Sequence, residues 1–184
     1  MELNHVLDKR HSVRHFTNKK VPWRDAIEIV DAATKTPIAG GRNHLRCIII
    51  EESETINALA KLADQSWMAH ASIIIVITSD DKSLEAMYGD RGRIYSRQQA
   101  GAAIQNALLK ATDLGIGACW IGAYDDHKIR HLLKISKSSQ IEALIPLGYE
   151  NPSSHKPRTK KRELENFIRW ENFETSKRPS MYKE

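Results

Sequence analysis

The run Ser72-Ile-Ile-Ile-Val-Ile-Thr78 constrains this chain more than any other feature. β-Branched side chains crowd the turns of a helix but sit well on a pleated surface, so the run predicts a strand. Other apolar runs alternate with helical patterns. Residues 45–50 read as a buried strand, followed by a helix over 53–64 that Ser53 is placed to cap. Pro22 stands where a first helical turn begins, and residues 23–36 set Ile27, Val30 and Ala33 at helical spacing. Ser96 is placed to cap the longest helix, 97–114, and Gly115 to end it. Its Ala100-Gly101-Ala102-Ala103 stretch leaves room for another backbone. Residues 117–123 predict a short strand, 125–134 a charged amphipathic helix and 141–148 a further strand. Such alternation points to α/β or α+β, and by rule alone to a doubly wound parallel sheet. No internal repeat is present.

The length of 184 residues suits one domain with a core of its own, and 41% hydrophobic with 28% charged residues excludes collagenous and disordered classes. The strongest apolar run is far shorter than the roughly 20 residues of a membrane helix. Met1-Glu2-Leu3-Asn4-His5 lacks the charged-then-apolar pattern of an export signal, so a cytoplasmic protein is expected. Cys47 and Cys119 lie in apolar runs and read as reduced core thiols.

The net charge of +5 is uneven: residues 1–50 carry +4, 51–90 carry −6, 91–150 carry +3 and 151–184 carry +4. Basic ends suit a phosphate-tracking nucleic-acid binder. They equally suit one small anionic ligand, if the two ends meet in space.

Several motifs are absent. Gly115, Gly117 and Gly122 do not fit G-x-G-x-x-G, and no G-x-x-x-x-G-K-[ST] loop occurs. His127 and His131 are spaced for two metal ligands, but without a third ligand cluster they read as a solvated helix face, and no metal is expected. Cys119 has no neighbouring base, and no spacing supports a Ser/His/Asp triad.

Arg10-His11-Ser12-Val13-Arg14-His15-Phe16 is the densest donor cluster near the N-terminus. In an extended segment Arg10, Ser12 and Arg14 project together. Guanidinium groups grip phosphate through paired N–H donors, and a hydroxyl adds a short one. Ordinary surface arginines at a helix end account for the same residues. Lys156 and Arg158 repeat the chemistry in the polar, proline-containing stretch 151–162.

From about Leu7 to Leu164 the chain resembles the nitroreductase-like flavoproteins, which bind FMN. The motifs that carry the resemblance, in order, are Arg10-x-Ser12-x-Arg14-x-Phe16; Pro37-Ile38-Ala39-Gly40-Gly41-Arg42-Asn43; Gln98-Gln99-Ala100-Gly101-Ala102-Ala103-Ile104-Gln105-Asn106; Gly115-Ile116-Gly117-Ala118-Cys119-Trp120-Ile121-Gly122-Ala123; Ile145-Pro146-Leu147-Gly148-Tyr149; and Lys156-Pro157-Arg158. Ile38 departs from the family's usual Ser, Gly41 from Asn, and Asn43-His44-Leu45 from Gln-Pro-Trp.

The resemblance implies an α+β fold, with a mixed, mainly antiparallel sheet flanked by helices, in an intertwined homodimer. Residues 1–165 would form the FMN-binding domain, and 166–184 an arm packing on the partner. Tightly bound FMN would contact Arg10, His11, Ser12 and Arg14. Arg10 and Ser12, with Lys156 and Arg158, would hold the phosphate and ribityl chain, and Arg14 the N1/C2 edge of the ring. Ile121, Gly122 and Ala123 would run along the ring, with the Gly122 N–H facing N5. Asn43 would reach a flavin from the partner subunit, and Gln65 stands where an amide often contacts the ring. Residues 88–93 occupy the place of the larger members' insert, as a lid, a contact for a pyridine nucleotide or a plain surface loop. The implied activity is ping-pong hydride transfer from NAD(P)H to a nitroaromatic, quinone or flavin, with no side chain needed as acid. Family branches that dehalogenate or consume flavin are the alternative chemistry, and a nucleic-acid-binding module the alternative class.

Overall fold

The computed structural model describes residues 1–154 and 163–178. Four strands, β1 (Leu45–Ile50), β2 (Ile73–Asp80), β3 (Gly117–Ala118) and β4 (Ser139–Gly148), form one sheet in the order β1-β2-β4-β3. Every strand pair is antiparallel. The doubly wound parallel sheet expected by rule is therefore incorrect. Helix α3 (Ser53–Leu62) and the 3-10 turn Ser66–His70 bring the chain back beside β1 running the other way, with Leu45 opposite Ser79 and Ile50 opposite Ile74. Alternating periodicity identifies elements but does not set strand direction. Among the described residues the one parallel pairing is a bridge between Ser12 and Ala118, so the sheet is mixed and mainly antiparallel, as the resemblance implies.

Strand β2 is the centre of the molecule. Its side chains from Ile73 to Ile77 are at most 1% exposed. Each such burial stabilises by about 1.5–3 kcal/mol before chain entropy is counted. Ile73, Ile75 and Ile77 face α2 (Trp23–Thr34) and α5 (Asp90–Asp113), meeting Ile29, Ala103 and Ala107. Ile74 and Val76 face the other way, onto Leu59 of α3, Met68, Phe16 and Ile129 of α6 (Asp126–Leu132).

Several boundaries differ from expectation. In α2 the buried positions are Ala26, Ile29 and Ala33, whereas Ile27 is 48% exposed. Glu52, not Ser53, occupies the N-cap of α3, without a side-chain cap bond. Helix α5 begins at Asp90, so Ser96 lies inside it, fully buried, and caps nothing. Gly115 does close α5, at φ 72°, with Ile116 N–H donating to the Ala111 carbonyl over 2.8 Å. Residues 88–93 are not a loop. They end α4 (Lys82–Tyr88) and start α5, with Gly89 alone between them at φ 56°. A short α1 (Leu3–Lys9) precedes the donor cluster. Asp125 caps α6, its Oδ1 accepting from Lys128 N–H over 3.0 Å.

The expected strand 117–123 shortens to β3 followed by a bridge between Ile121 and Leu144. Beyond the sheet, Leu164–Asn166 makes one 3-10 turn, and Leu164, Phe167 and Phe173 are exposed rather than packed on this chain.

Candidate functional site

Alternation along 12–16 is what builds the site. Val13 and Phe16 are buried, while Ser12 and Arg14 are exposed. The backbone is held on both sides. Val13 N–H donates to the Ala118 carbonyl over 3.0 Å, Thr17 N–H to Tyr149 over 2.8 Å, and Asn151 N–H to His15 over 3.0 Å. Two glycines allow the approach: a Cβ on Gly117 would lie 2.9 Å from Val13 Cγ1, and one on Gly148 2.6 Å from Phe16 Cδ1. The close packing expected between the glycine-rich strand and α5 is thus met by segment 12–16 instead, since a Cβ on Gly101 would find only Trp120, at 3.8 Å.

Ser12 and Arg14 hydrogen-bond the Cys119 thiol, and Arg10 acts on it through charge alone. Burial pushes its thiol pKa up, and Arg14, Ser12 and Arg10 oppose that shift through charge and hydrogen bonding. Cys119 is a packed thiol, as expected, but it marks the floor of the cluster, which its sequence neighbours did not reveal. Gln65 joins through aromatic neighbours: its Oε1 accepts from Trp67 Nε1–H over 2.7 Å, and the Trp67 and Phe16 rings are 6.0 Å apart. Ile121 and Leu144 exchange two backbone bonds of 3.0 Å, which anchors the chain entering Gly122 and Ala123. Both of those residues are exposed, and the space beside Gly122 is open within 4 Å.

Other expected contacts fall elsewhere. His11 faces a cavity of about 480 Å³ that neither Ser12 nor Arg14 lines, with Nδ1 2.9 Å from the Lys9 carbonyl and Nε2 3.0 Å from Glu150 Oε1. Asn43 borders two other cavities, neither lined by Arg10, Ser12 or Arg14, and its Oδ1 accepts from Leu45 N–H over 3.3 Å. Lys156 and Arg158 lie outside the described residues. The chain leading to them starts beside the cluster, through the bond from Asn151 to His15.

A second polar group, absent from any sequence spacing, ties loop 37–44 to α5. Ser96 Oγ donates to Asp81 Oδ1 over 2.6 Å and shares a hydrogen bond of 2.8 Å with His44 Nε2. With serine in the middle, the order is unlike a nucleophilic triad, and full burial of Ser96 keeps substrate away. Arg97 pairs with both Asp81 and Glu142. Gln99 Oε1 accepts from Ala39 N–H over 3.0 Å. Gln99 Nε2 and Thr36 Oγ1 are buried without a partner among the described residues. Also among the described residues, no three His, Cys, Asp or Glu side chains group as metal ligands, and no helix is long and apolar enough to cross a membrane.

Residues 7–67 and 57–149 match the nitroreductase family. This chain belongs to that family. A relative from Methanocaldococcus jannaschii is 30% identical over 183 residues, covering 80% of this chain and 91% of its own. A Bacillus subtilis protein named FMN reductase [NAD(P)H] is 23% identical over 168 residues, covering 83% of this chain and 68% of its own. Among solved structures, an FMN-dependent nitroreductase from Clostridium difficile superposes with TM-score 0.77 at 22% identity, covering 91% of this chain and 98% of its own. This nitroreductase-family chain thus has the family fold, and it is an oxidoreductase by membership.

Proposed function

We propose that the protein binds FMN and passes electrons from NAD(P)H to an electron-poor small molecule such as a nitroaromatic, a quinone or a second flavin. The observation that carries this reading is segment 12–17, its backbone bonded to Ala118 on one side and Tyr149 and Asn151 on the other, which presents Ser12 and Arg14 beside Cys119 with Arg10 just before them in the chain. A half-buried Arg10 and an exposed Arg14 on a rigid segment match a phosphate and an anion-accumulating ring. The B. subtilis and C. difficile relatives, named for FMN, support the same choice of cofactor.

Bound FMN would supply hydride exchange at N5, accepting from the nicotinamide and delivering to the acceptor in a ping-pong sequence. The chain's own groups bind and tune. Arg10 and Ser12, joined by Lys156 and Arg158, would hold the phosphate and ribityl chain. Arg14 would set a fixed cation against the pyrimidine edge, where charge gathers on reduction. The exposed Gly122 N–H would offer a neutral donor, with Ile121 and Ala123 fixing its strand and Gln65 adding an amide. His11 would act through Glu150, holding the turn into Ser12. No side chain is assigned a proton-transfer role.

Asn43 stands apart from the cluster within one chain, which fits a site completed by a second copy. Exposure of Trp23, Ile27, Leu164, Phe167 and Phe173 supports a homodimer in which 166–184 packs on the partner. The test is the visible spectrum of purified protein. A yellow protein bleached by NADH or NADPH is expected, and a colourless protein that FMN does not reconstitute overturns the reading. Arg10→Ala should lose FMN on gel filtration far more than Arg169→Ala, and equal retention contradicts the phosphate assignment.

A further inference from the structure

At the end of the sheet where β1 begins and β2 stops, a cavity of about 680 Å³ opens between loop 37–44, β2 and α4. Three cations from three separate elements line it: Arg42 of the loop, Arg46 of β1 and Lys82 at the start of α4. Among the described residues none of the three makes an ion pair. Arg46 spends one donor, Nη1–H, on the Leu45 carbonyl at 2.8 Å and keeps the rest of its fork.

The cavity wall carries one carboxylate, Asp80, whose Oδ1 already accepts from Lys82 N–H over 3.2 Å. Two further carboxylates, Asp81 and Glu142, lie outside the wall and are both held by Arg97. Ser83 and Ser139 add hydroxyl donors to the same wall. His44, 6% exposed and bonded to Ser96, anchors the loop between the two arginines, so Arg42 is not a free surface tether. Like charges gathered around one open space repel until an anion enters. Three cations on separate elements suit charge spread over several ångströms rather than one small ion, and the volume exceeds what a single phosphate fills.

We propose that this cavity is a binding site for a ligand carrying a diphosphate group, separate within one chain from the Arg10–Ser12–Arg14 cluster; of its lining only Asn43 is also assigned to the flavin reading. Arg42 and Arg46 grip the phosphates from the loop and the edge strand, and Lys82 closes the third side. The diphosphate could belong to a pyridine dinucleotide or to a free nucleoside diphosphate. Both present the same chemistry to the three cations.

Calorimetric titration of the full-length protein, as purified, with inorganic pyrophosphate tests the site. One saturable event is expected, weakening as KCl is raised. Arg42→Ala/Arg46→Ala should weaken it on the order of a hundredfold, about tenfold per lost charge contact, and Lys82→Ala about tenfold. These side chains are exposed, so an unchanged thermal midpoint is the folding control. Arg10→Ala should bind pyrophosphate as wild type does, even if it sheds FMN, which separates this site from the flavin reading. If NADPH displaces pyrophosphate and the double variant raises the KM for NADPH, the dinucleotide supplies the diphosphate. If ADP displaces it and NADPH does not, a free nucleoside diphosphate does. No binding at millimolar pyrophosphate, equal binding by the double variant, or loss on Arg10→Ala instead overturns the proposal.

Discussion

Segment 12–16 and loop 37–44 both carry candidate site residues, but they are built in opposite ways. The segment is wedged against β3 and the chain leaving β4, with glycines 117 and 148 cut away to admit Val13 and Phe16. Its polar side chains are free to point outward because its backbone is already satisfied. The loop is held instead by side chains reaching from α5 and by His44, and beneath it Thr36 Oγ1 and Gln99 Nε2 lack partners among the described residues. Buried polar groups rarely stay unsatisfied. The segment is thus held by backbone contacts within one chain, whereas the loop stands apart from it and rests on side-chain contacts to α5.

The first way to break this comparison is to fill the space the segment needs. Gly148→Ala would press a methyl into the Phe16 ring, itself packed near Trp67. We expect a loss of about 2–3 kcal/mol in urea unfolding. A neutral result would mean that the segment is not wedged. The corresponding cut in the loop region is Ser96→Ala, which strips a partner from both His44 and Asp81. The expected cost is about 2 kcal/mol. Urea midpoints measure both, and a Ser96 effect larger than that of Gly148 would reverse the order of rigidity.

A smaller effect follows from Cys47 on β1. Burial raises its thiol pKa from 9.0 to about 11. The folded state therefore keeps a proton that the unfolded chain releases above pH 9. The stabilisation is complete below that pH and is lost as pH rises towards 11. Urea midpoints should fall less steeply over this range in Cys47→Ala than in wild type, and parallel curves would show that the thiol is not buried as described.

How much of this was legible follows from range. The run 72–78, the strand 45–50 and the glycine ending α5 are local signals, and each is found where expected, the first starting one residue later and ending two later, at Ile73–Asp80. The alternation of Ser12, Val13 and Arg14 is local too, with Val13 buried between two exposed residues, whereas Arg10 closes α1. What failed was long-range. Ser96 has the chemistry of a helix cap, but its hydroxyl serves Asp81 and His44, partners 15 and 52 residues away. Gly92, with Leu84 tight against it, lets α4 and α5 cross where a surface loop or lid was expected. Strand direction and the polar group around Asp81 depend on which elements meet, and no periodicity encodes that. A buried histidine with a serine and an aspartate far apart in sequence leaves no spacing to read.

The smallest expected change in stability sharpens the comparison most. Gly122 follows the Ile121–Leu144 bridge, yet a Cβ there would find nothing within 4 Å, and its φ lies outside the left-handed range. Gly122→Ala should therefore shift stability by no more than about 0.5 kcal/mol. Glycine at this position is then explained by something outside the chain's own packing. If flavin lies along Gly122, the added methyl should leave the urea midpoint alone while weakening FMN retention on gel filtration. Unchanged stability with unchanged retention would remove Gly122 from the site. A destabilisation approaching that of Gly148→Ala would make it one more packing glycine, like Gly117, and the open edge of the site would have to lie elsewhere.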